Sequence, residues 1–200
     1  MNQNASTRFD AVSRKAISKV TRPHRYAVIS IRDPFLKPAY LRDDPNRIGT
    51  MKISFDDIPY VDTALGLTCF TPRNADDILD FAGYYVPRAC EIIINCEAGI
   101  SRSRGVALAL ARIYGDPTPH ETLGMPNSLI VRTIIDRHNS RTGQNVPMPV
   151  VPFDLQRCPR HPAGTTSGPI DGPRTCDVCG GPTNAVRIDL ITYFRDKDAR

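Results

Sequence analysis

Two groups of residues have types and spacing that suit chemistry. The first is Cys96-Glu97-Ala98-Gly99-Ile100-Ser101-Arg102-Ser103. A β-branched run, Ile92-Ile93-Ile94, leads into it, and an apolar stretch to Ile113 leaves it. A bare Cys-x5-Arg pair arises by chance. A strand, a Cys-x-x-Gly-x-x-Arg-Ser loop and a helix, in that order, is much more specific. Loop amides at a helix N-terminus converge on one point and carry the positive end of the dipole. Successive inward amides make an anion nest, and Gly99 supplies the backbone freedom such a loop needs. Arg102 can fork onto two phosphate oxygens. The same positive field favours Cys96 as a thiolate. Beneath a bound phosphoryl group that sulfur is a nucleophile placed for in-line attack.

The second group is Cys158-Pro-Arg-His161 and Cys176-Asp-Val-Cys179, separated by 14 residues. The x2 spacing lets two side chains reach one tetrahedral ion from a tight turn. Residues 158–182 hold ten Pro and Gly, too many to build a core unaided, so a metal is a plausible way to hold them. Three Cys and one His favour structural zinc, in the pattern of a zinc ribbon or knuckle. The competing readings are a Cys176–Cys179 disulfide and unstructured thiols.

The elements that must position these groups follow from periodicity. Residues 10–20 place Val12, Ala16, Ile17 and Val20 at helical spacing. Tyr26–Ile31 reads as a buried strand stopped by Arg32-Asp33-Pro34, Met51–Phe55 as a second strand and Glu91–Asn95 as a third. Asn74 can cap a helix running to Tyr85, with Asp76 and Asp77 in its first turn. Further helices are expected over Ser101–Ile113, with Gly115 at the C-terminal side, and over Asn127–His138. This alternation predicts an α/β fold with a mostly parallel central sheet flanked by helices, over residues 1–145. A Pro-rich connector follows over 146–157, then a zinc-binding tail over 158–200 that includes a strand from Ala185 to Phe194.

Composition limits the alternatives. The chain has 200 residues, a net charge of +5 and 40% hydrophobic content, which suits a globular protein. Collagen, coiled coil and a wholly disordered chain are excluded. No apolar run approaches the roughly 20 residues that span a bilayer, and no membrane partner is expected. The first residues carry no apolar core of a secretory signal, and six cysteines are too sparse for a disulfide scaffold. A reducing, cytoplasmic setting is expected. Residues 1–50 hold ten Lys/Arg against four Asp. That favours an anionic partner, nucleic acid among them, although a solvated face is the simpler reading.

The loop from Cys96 to Ser103 resembles that of the cysteine-dependent protein phosphatase superfamily. With Ser30-Ile31-Arg32-Asp33-Pro34 and Phe55-Asp56-Asp57-Ile58, it is most similar to the small dual-specificity-like tyrosine phosphatases of bacteria and phages. The resemblance covers about residues 10–140. It implies phosphomonoester hydrolysis through a phosphocysteine on Cys96, with no catalytic metal and a phosphorylated protein or other phosphomonoester as substrate. Arg102 and the amides of Glu97, Ala98, Gly99, Ile100, Ser101 and Arg102 would hold the phosphoryl oxygens. Ser103 would help the thiolate leave.

The general acid would be an Asp after a strand, some 30 to 40 positions before the cysteine. Asp57 is favoured, Asp56 is its rival and Asp62 a distant third. Asn95 stands where the family usually has His; it can bond the loop but carries no charge. Two rival readings follow: a phosphate-binding pseudo-phosphatase with negligible turnover, and a zinc-ribbon nucleic-acid-binding protein. Cys69 and Cys90 read as spare thiols, with a protective Cys90–Cys96 disulfide as a minor option.

Overall fold

Branched side chains put strand β4 (Glu91–Cys96) at the centre of the fold, buried along its whole length. The computed structural model describes residues 7–58, 66–118 and 125–149, and the backbone of the strands at 153–157, 166–167, 175–176 and 184–188. Two units separate at residue 149, Met1–Pro149 and Val150–Arg200.

The first unit runs β1 (Arg8–Ser13), α1 (Arg14–Ile17), β2 (Tyr26–Arg32), β3 (Arg47–Ser54), α2 (Pro72–Tyr85), β4, α3 (Arg102–Tyr114) and α4 (Ser128–Thr142). Its four strands form one sheet in the order β1-β4-β2-β3, every pair parallel. This is the expected α/β architecture. Parallel strands covered on both faces carry near-continuous apolar runs, as Tyr26–Ile31 and Ile92–Ile94 do. Period-2 alternation divides β4. Ile93 and Asn95 share a face with Tyr26, Val28, Ile17 and Ala39. Ile92, Ile94 and Cys96 face the other way, where α3 packs against β4 and β1, and Phe9 stacks on Tyr114 of α3 with centroids 5.8 Å apart. Parallel strands also bring their C-terminal ends to one edge of the sheet.

Some boundaries differ from the periodicity reading. Residues 10–13 end strand β1, and the helix is a single turn, Arg14–Ile17, capped by Ser13. The apolar spacing of 10–20 fits a helix, but Phe9 and Ala11 bury at period 2 once β1 pairs with β4. Strand β3 starts four residues early and runs through Gly49. A Cβ at Gly49 would lie 2.1 Å from Cζ of Tyr85, so the ring of α2 needs a glycine there. Helix α2 starts with Thr71 as N-cap and Asn74 as the reciprocal partner of a capping box. The first-turn places expected for Asp76 and Asp77 are therefore taken by Pro72, Arg73 and Asn74.

In the second unit β5 (Phe153–Arg157) pairs antiparallel with β8 (Asn184–Ile188), and β6 (Thr166–Ser167) with β7 (Thr175–Cys176). The stretch expected to be an extended connector thus contains β5. The expected last strand is described only as far as Ile188.

Asp76 staples α2 to α4. Arg137 Nε and Nη2 donate to its two carboxylate oxygens at 3.0 and 2.8 Å, and Arg141 donates to Oδ1 at 3.5 Å. The Arg137 hydrogen bond holds the Asp76 carboxyl below its ordinary range. A depressed folded-state pKa contributes stability above the unfolded value and loses it as pH falls through the folded one. Thermal melts of Asp76→Asn should therefore show a lower Tm than the parent near neutral pH. The gap should close in acid, once Asp76 is protonated in the folded parent.

Candidate active site

The loop after β4 is shaped by what lies under it. Gly99 sits at φ +76°, and a Cβ there would meet the backbone of Val12 and Ser13 at 2.6 and 2.5 Å. The end of β1 is thus the floor of the loop, and glycine satisfies both the left-handed conformation and the close approach. Arg14 fastens the same floor, its amide donating to Glu97 O at 3.1 Å and its Nη1 to Glu97 Oε2 at 3.3 Å. Glu97 is exposed and engaged by that arginine, as Ala98 and Ile100 are exposed at the rim.

Cys96 Sγ lies at the bottom, 2% exposed. The Gly99 amide donates to it at 3.2 Å, and Ser103 Oγ is 3.2 Å away. Ser101 begins α3 without a side-chain cap, so the first-turn amides of α3 receive none from it. Its hydroxyl instead donates to Asp57 Oδ1 at 2.8 Å.

Arg102 is 4% exposed. Its Nη1 donates to Asp33 Oδ1 at 2.6 Å and to Phe55 O at 2.9 Å. Nε is buried and has no hydrogen-bond partner among the described residues; Asp57 Oδ2 is 3.8 Å from it. The guanidinium is therefore held from one side while its Nε edge is left for an acceptor. A buried donor without a partner costs about 1–3 kcal/mol, and an anion with two oxygens would supply one.

Asp57 and Asp56 point to different tasks. Asp57 Oδ1 accepts from Ser101 and from Asn127 Nδ2, at 2.8 and 2.9 Å. Asp56 turns away, accepting the Thr68 amide at 2.7 Å and donating its own to Thr68 O at 2.8 Å. Asp62 lies outside the described residues. The expected Cys96, Glu97–Ser103 and Asp57 are thus brought to one edge of the sheet.

Two residues here escaped the sequence reading. Asp33 was legible only as part of the stop after β2. Asn127 was legible only as a helix cap, which it is, accepting from the Ile130 amide at 3.3 Å. Its Nδ2 also donates to Asp57 and to Ile58 O, and its amide to Ser101 O at 3.2 Å. Partners some 70 residues apart leave no local spacing to read.

Other expectations need correction. Asn95 is 1% exposed, and neither polar atom of its side chain has a partner among the described residues. It does not bond the loop, because alternation turns it to the face opposite Cys96, beside Val12 and Ser30. A Cys90–Cys96 disulfide is excluded. The two cysteines flank opposite ends of β4, about 3.3 Å per residue apart along the strand, far beyond the reach of a disulfide. Of the zinc set, Cys158, His161 and Cys179 lie outside the described residues, and for Cys176 only backbone is described. Among the described residues no group of three or more His, Cys, Asp or Glu is arranged to hold a metal.

The orphaned Asn95 amide yields a stability measurement. Removing a buried unsatisfied amide with little change of shape should raise the unfolding free energy of Asn95→Val by about 1 kcal/mol, read from urea denaturation. A loss of that size would mean that the carboxamide is satisfied.

No protein-family model matches the chain, and no curated protein does. Several solved structures are similar to the chain. The human tyrosine phosphatase-like serine/threonine/tyrosine-interacting protein is 18% identical, with a TM-score of 0.35 over 58% of this chain and 78% of that one. PTPMT1 in complex with PI(5)P is 15% identical, with a TM-score of 0.39 over 60% and 80%. Tk-PTP in its active form is 14% identical, with a TM-score of 0.36 over 70% and 84%.

Proposed function

We propose that the chain is a phosphomonoester hydrolase of the cysteine-dependent tyrosine and dual-specificity phosphatase kind. The observation that carries the reading is the buried, unpartnered Nε edge of Arg102 at the uncapped start of α3, which closes the loop that begins at the buried Cys96. That combination of donors suits a tetrahedral dianion with a nucleophile beneath it.

In the first step the Cys96 thiolate attacks phosphorus and the bond to the leaving oxygen breaks. Asp57 gives that oxygen its proton. Arg102 and the amides of residues 97–102 hold the three equatorial oxygens, whose charge they stabilise in the transition state. In the second step water attacks the phosphocysteine, Asp57 takes the water's proton, and the S–P bond breaks to release phosphate. The Ser103 hydroxyl, 3.2 Å from Sγ, donates to the departing thiolate. Asn127 and Ser101 hold Asp57 towards this site, while Asp33 and Phe55 O hold Arg102. The substrate class is a phosphomonoester; among phosphorylated proteins, tyrosine phosphate is the default, with serine or threonine phosphate beside it.

Hydrolysis of a generic aryl phosphate tests the reading. Wild type should turn over, Cys96→Ser should not, and Asp57→Asn should lose about a hundredfold or more in kcat for a poor leaving group. Turnover that survives Cys96→Ser overturns the mechanism. No wild-type turnover, with vanadate binding retained, replaces it with the phosphate-binding pseudo-phosphatase.

For the second unit we retain structural zinc on Cys158, His161, Cys176 and Cys179. The antiparallel β6–β7 pair, which carries Cys176, is compatible with a ribbon. Elemental analysis of the purified chain should find one zinc per molecule, dropping to none in Cys176→Ser/Cys179→Ser. Metal-free wild type would refute it.

A further inference from the structure

The segment from Asp33 to Asp44 forms a collar beside the phosphate loop, and it is fastened at several points. The turn Asp33-Pro34-Phe35-Leu36 is closed by the Leu36 amide on Asp33 O at 3.1 Å, with proline at its second position. Arg32 Nη1 donates to the carbonyls of Asp33, Pro34 and Leu36 at 3.3, 2.8 and 2.8 Å. The Asp33 carboxylate is fixed on Arg102. Further along, Pro38 O accepts from Arg14 at 3.3 Å, and Ala39 is buried in the cluster with Ile17 and Tyr26. Asp44 ends the collar, accepting from Tyr26 Oη and from the amides of Arg22 and Asn46.

This well-anchored segment nevertheless turns its large apolar side chains outward. Phe35 is 95% exposed, Tyr40 72% and Leu36 41%. Around this collar the exposed charges are Lys15, Lys19, Lys37 and Arg42 against Asp43 and Glu97, the latter paired with Arg14. An aromatic ring at the apex of a rigid turn, with almost all its surface free, offers no groove for a partner's side chain. It is shaped as a wedge. A fluid phase can close around the whole ring, and flanking cations with an amphipathic tyrosine suit the boundary of an anionic bilayer.

We propose that this collar docks the protein on anionic lipid bilayers, with Phe35 and Leu36 inserted and Lys15, Lys19, Lys37 and Arg42 against the headgroups. Asp33 links the collar to Arg102, so docking brings the phosphate loop to the bilayer surface. Given the phosphatase reading, on which this clause alone rests, the substrate class is a lipid-headgroup phosphomonoester. The lack of a spanning stretch, from which no membrane partner was expected, says nothing of contact at a surface.

Vesicle sedimentation of the full chain tests docking. The wild type should bind vesicles with about a quarter phosphatidylserine and leave phosphatidylcholine vesicles unbound, with binding lost as salt rises. Phe35→Ser should weaken binding about tenfold or more, and Lys37→Glu severalfold. Both residues are solvent-exposed, so both variants should fold and hydrolyse soluble aryl phosphate as the wild type does. Wild type that ignores anionic vesicles overturns the proposal, as does Phe35→Ser that binds them undiminished. Loss confined to a phosphotyrosyl peptide, read as a raised KM with vesicle binding intact, would assign the collar to a protein substrate instead. Cys96→Ser should bind vesicles normally, which separates the two readings. Binding without hydrolysis leaves docking standing and removes the phosphatase, and hydrolysis without binding does the reverse.

Discussion

A guanidinium group held almost out of water is the constraint around which the site is arranged. Removing a charge from solvent costs several kcal/mol unless partners replace the lost hydration. Arg102 finds them at the ends of two other strands, in Asp33 after β2 and in Phe55 after β3. Those ends are beside it because the sheet is parallel and β4 neighbours β2, which neighbours β3. Strand order is therefore part of the chemistry. An antiparallel β2 would bring Tyr26 to that edge and carry Asp33 to the far side. The guanidinium reaches its fixed orientation before any ligand arrives, so little rearrangement remains when an anion enters.

What could be read beforehand follows the range of the interactions. The loop Cys96–Ser103, β2, β4, α3 and α4 are set by neighbours within a few residues: branched runs, a glycine, a cap. These were legible. The identity of β1 was not, because Phe9 and Ala11 reveal their period only against β4, some 80 residues on. Gly49 looks like a break in a strand until the Tyr85 ring is found above it. Asp57 and Asp56 are adjacent in sequence and alike in composition. They were separated only by what faces them, Ser101 and Asn127 for one and Thr68 for the other. Asp33 and Asn127 were hidden for the same reason.

Neighbouring residues of β4 live in opposite worlds. Cys96 has two hydrogen-bonding groups on its sulfur, while the Asn95 carboxamide turns to a mostly apolar layer and finds no partner among the described residues. The second arrangement is costly and the first is useful, and a strand cannot provide one without imposing a buried position on its neighbour. The side chain before Cys96 therefore lies behind the sheet, where an unpaired charge would cost several kcal/mol.

The floor of the loop after β4 is β1, from the start of the described chain, while the loop itself comes more than eighty positions later. Closing so long a stretch of chain carries an entropic cost that only the completed pairing repays. The loop at Gly99 thus keeps its shape only while β1 is in place beneath it. The surroundings of the Cys96 sulfur are therefore a property of the whole unit and depend on a strand more than eighty positions away.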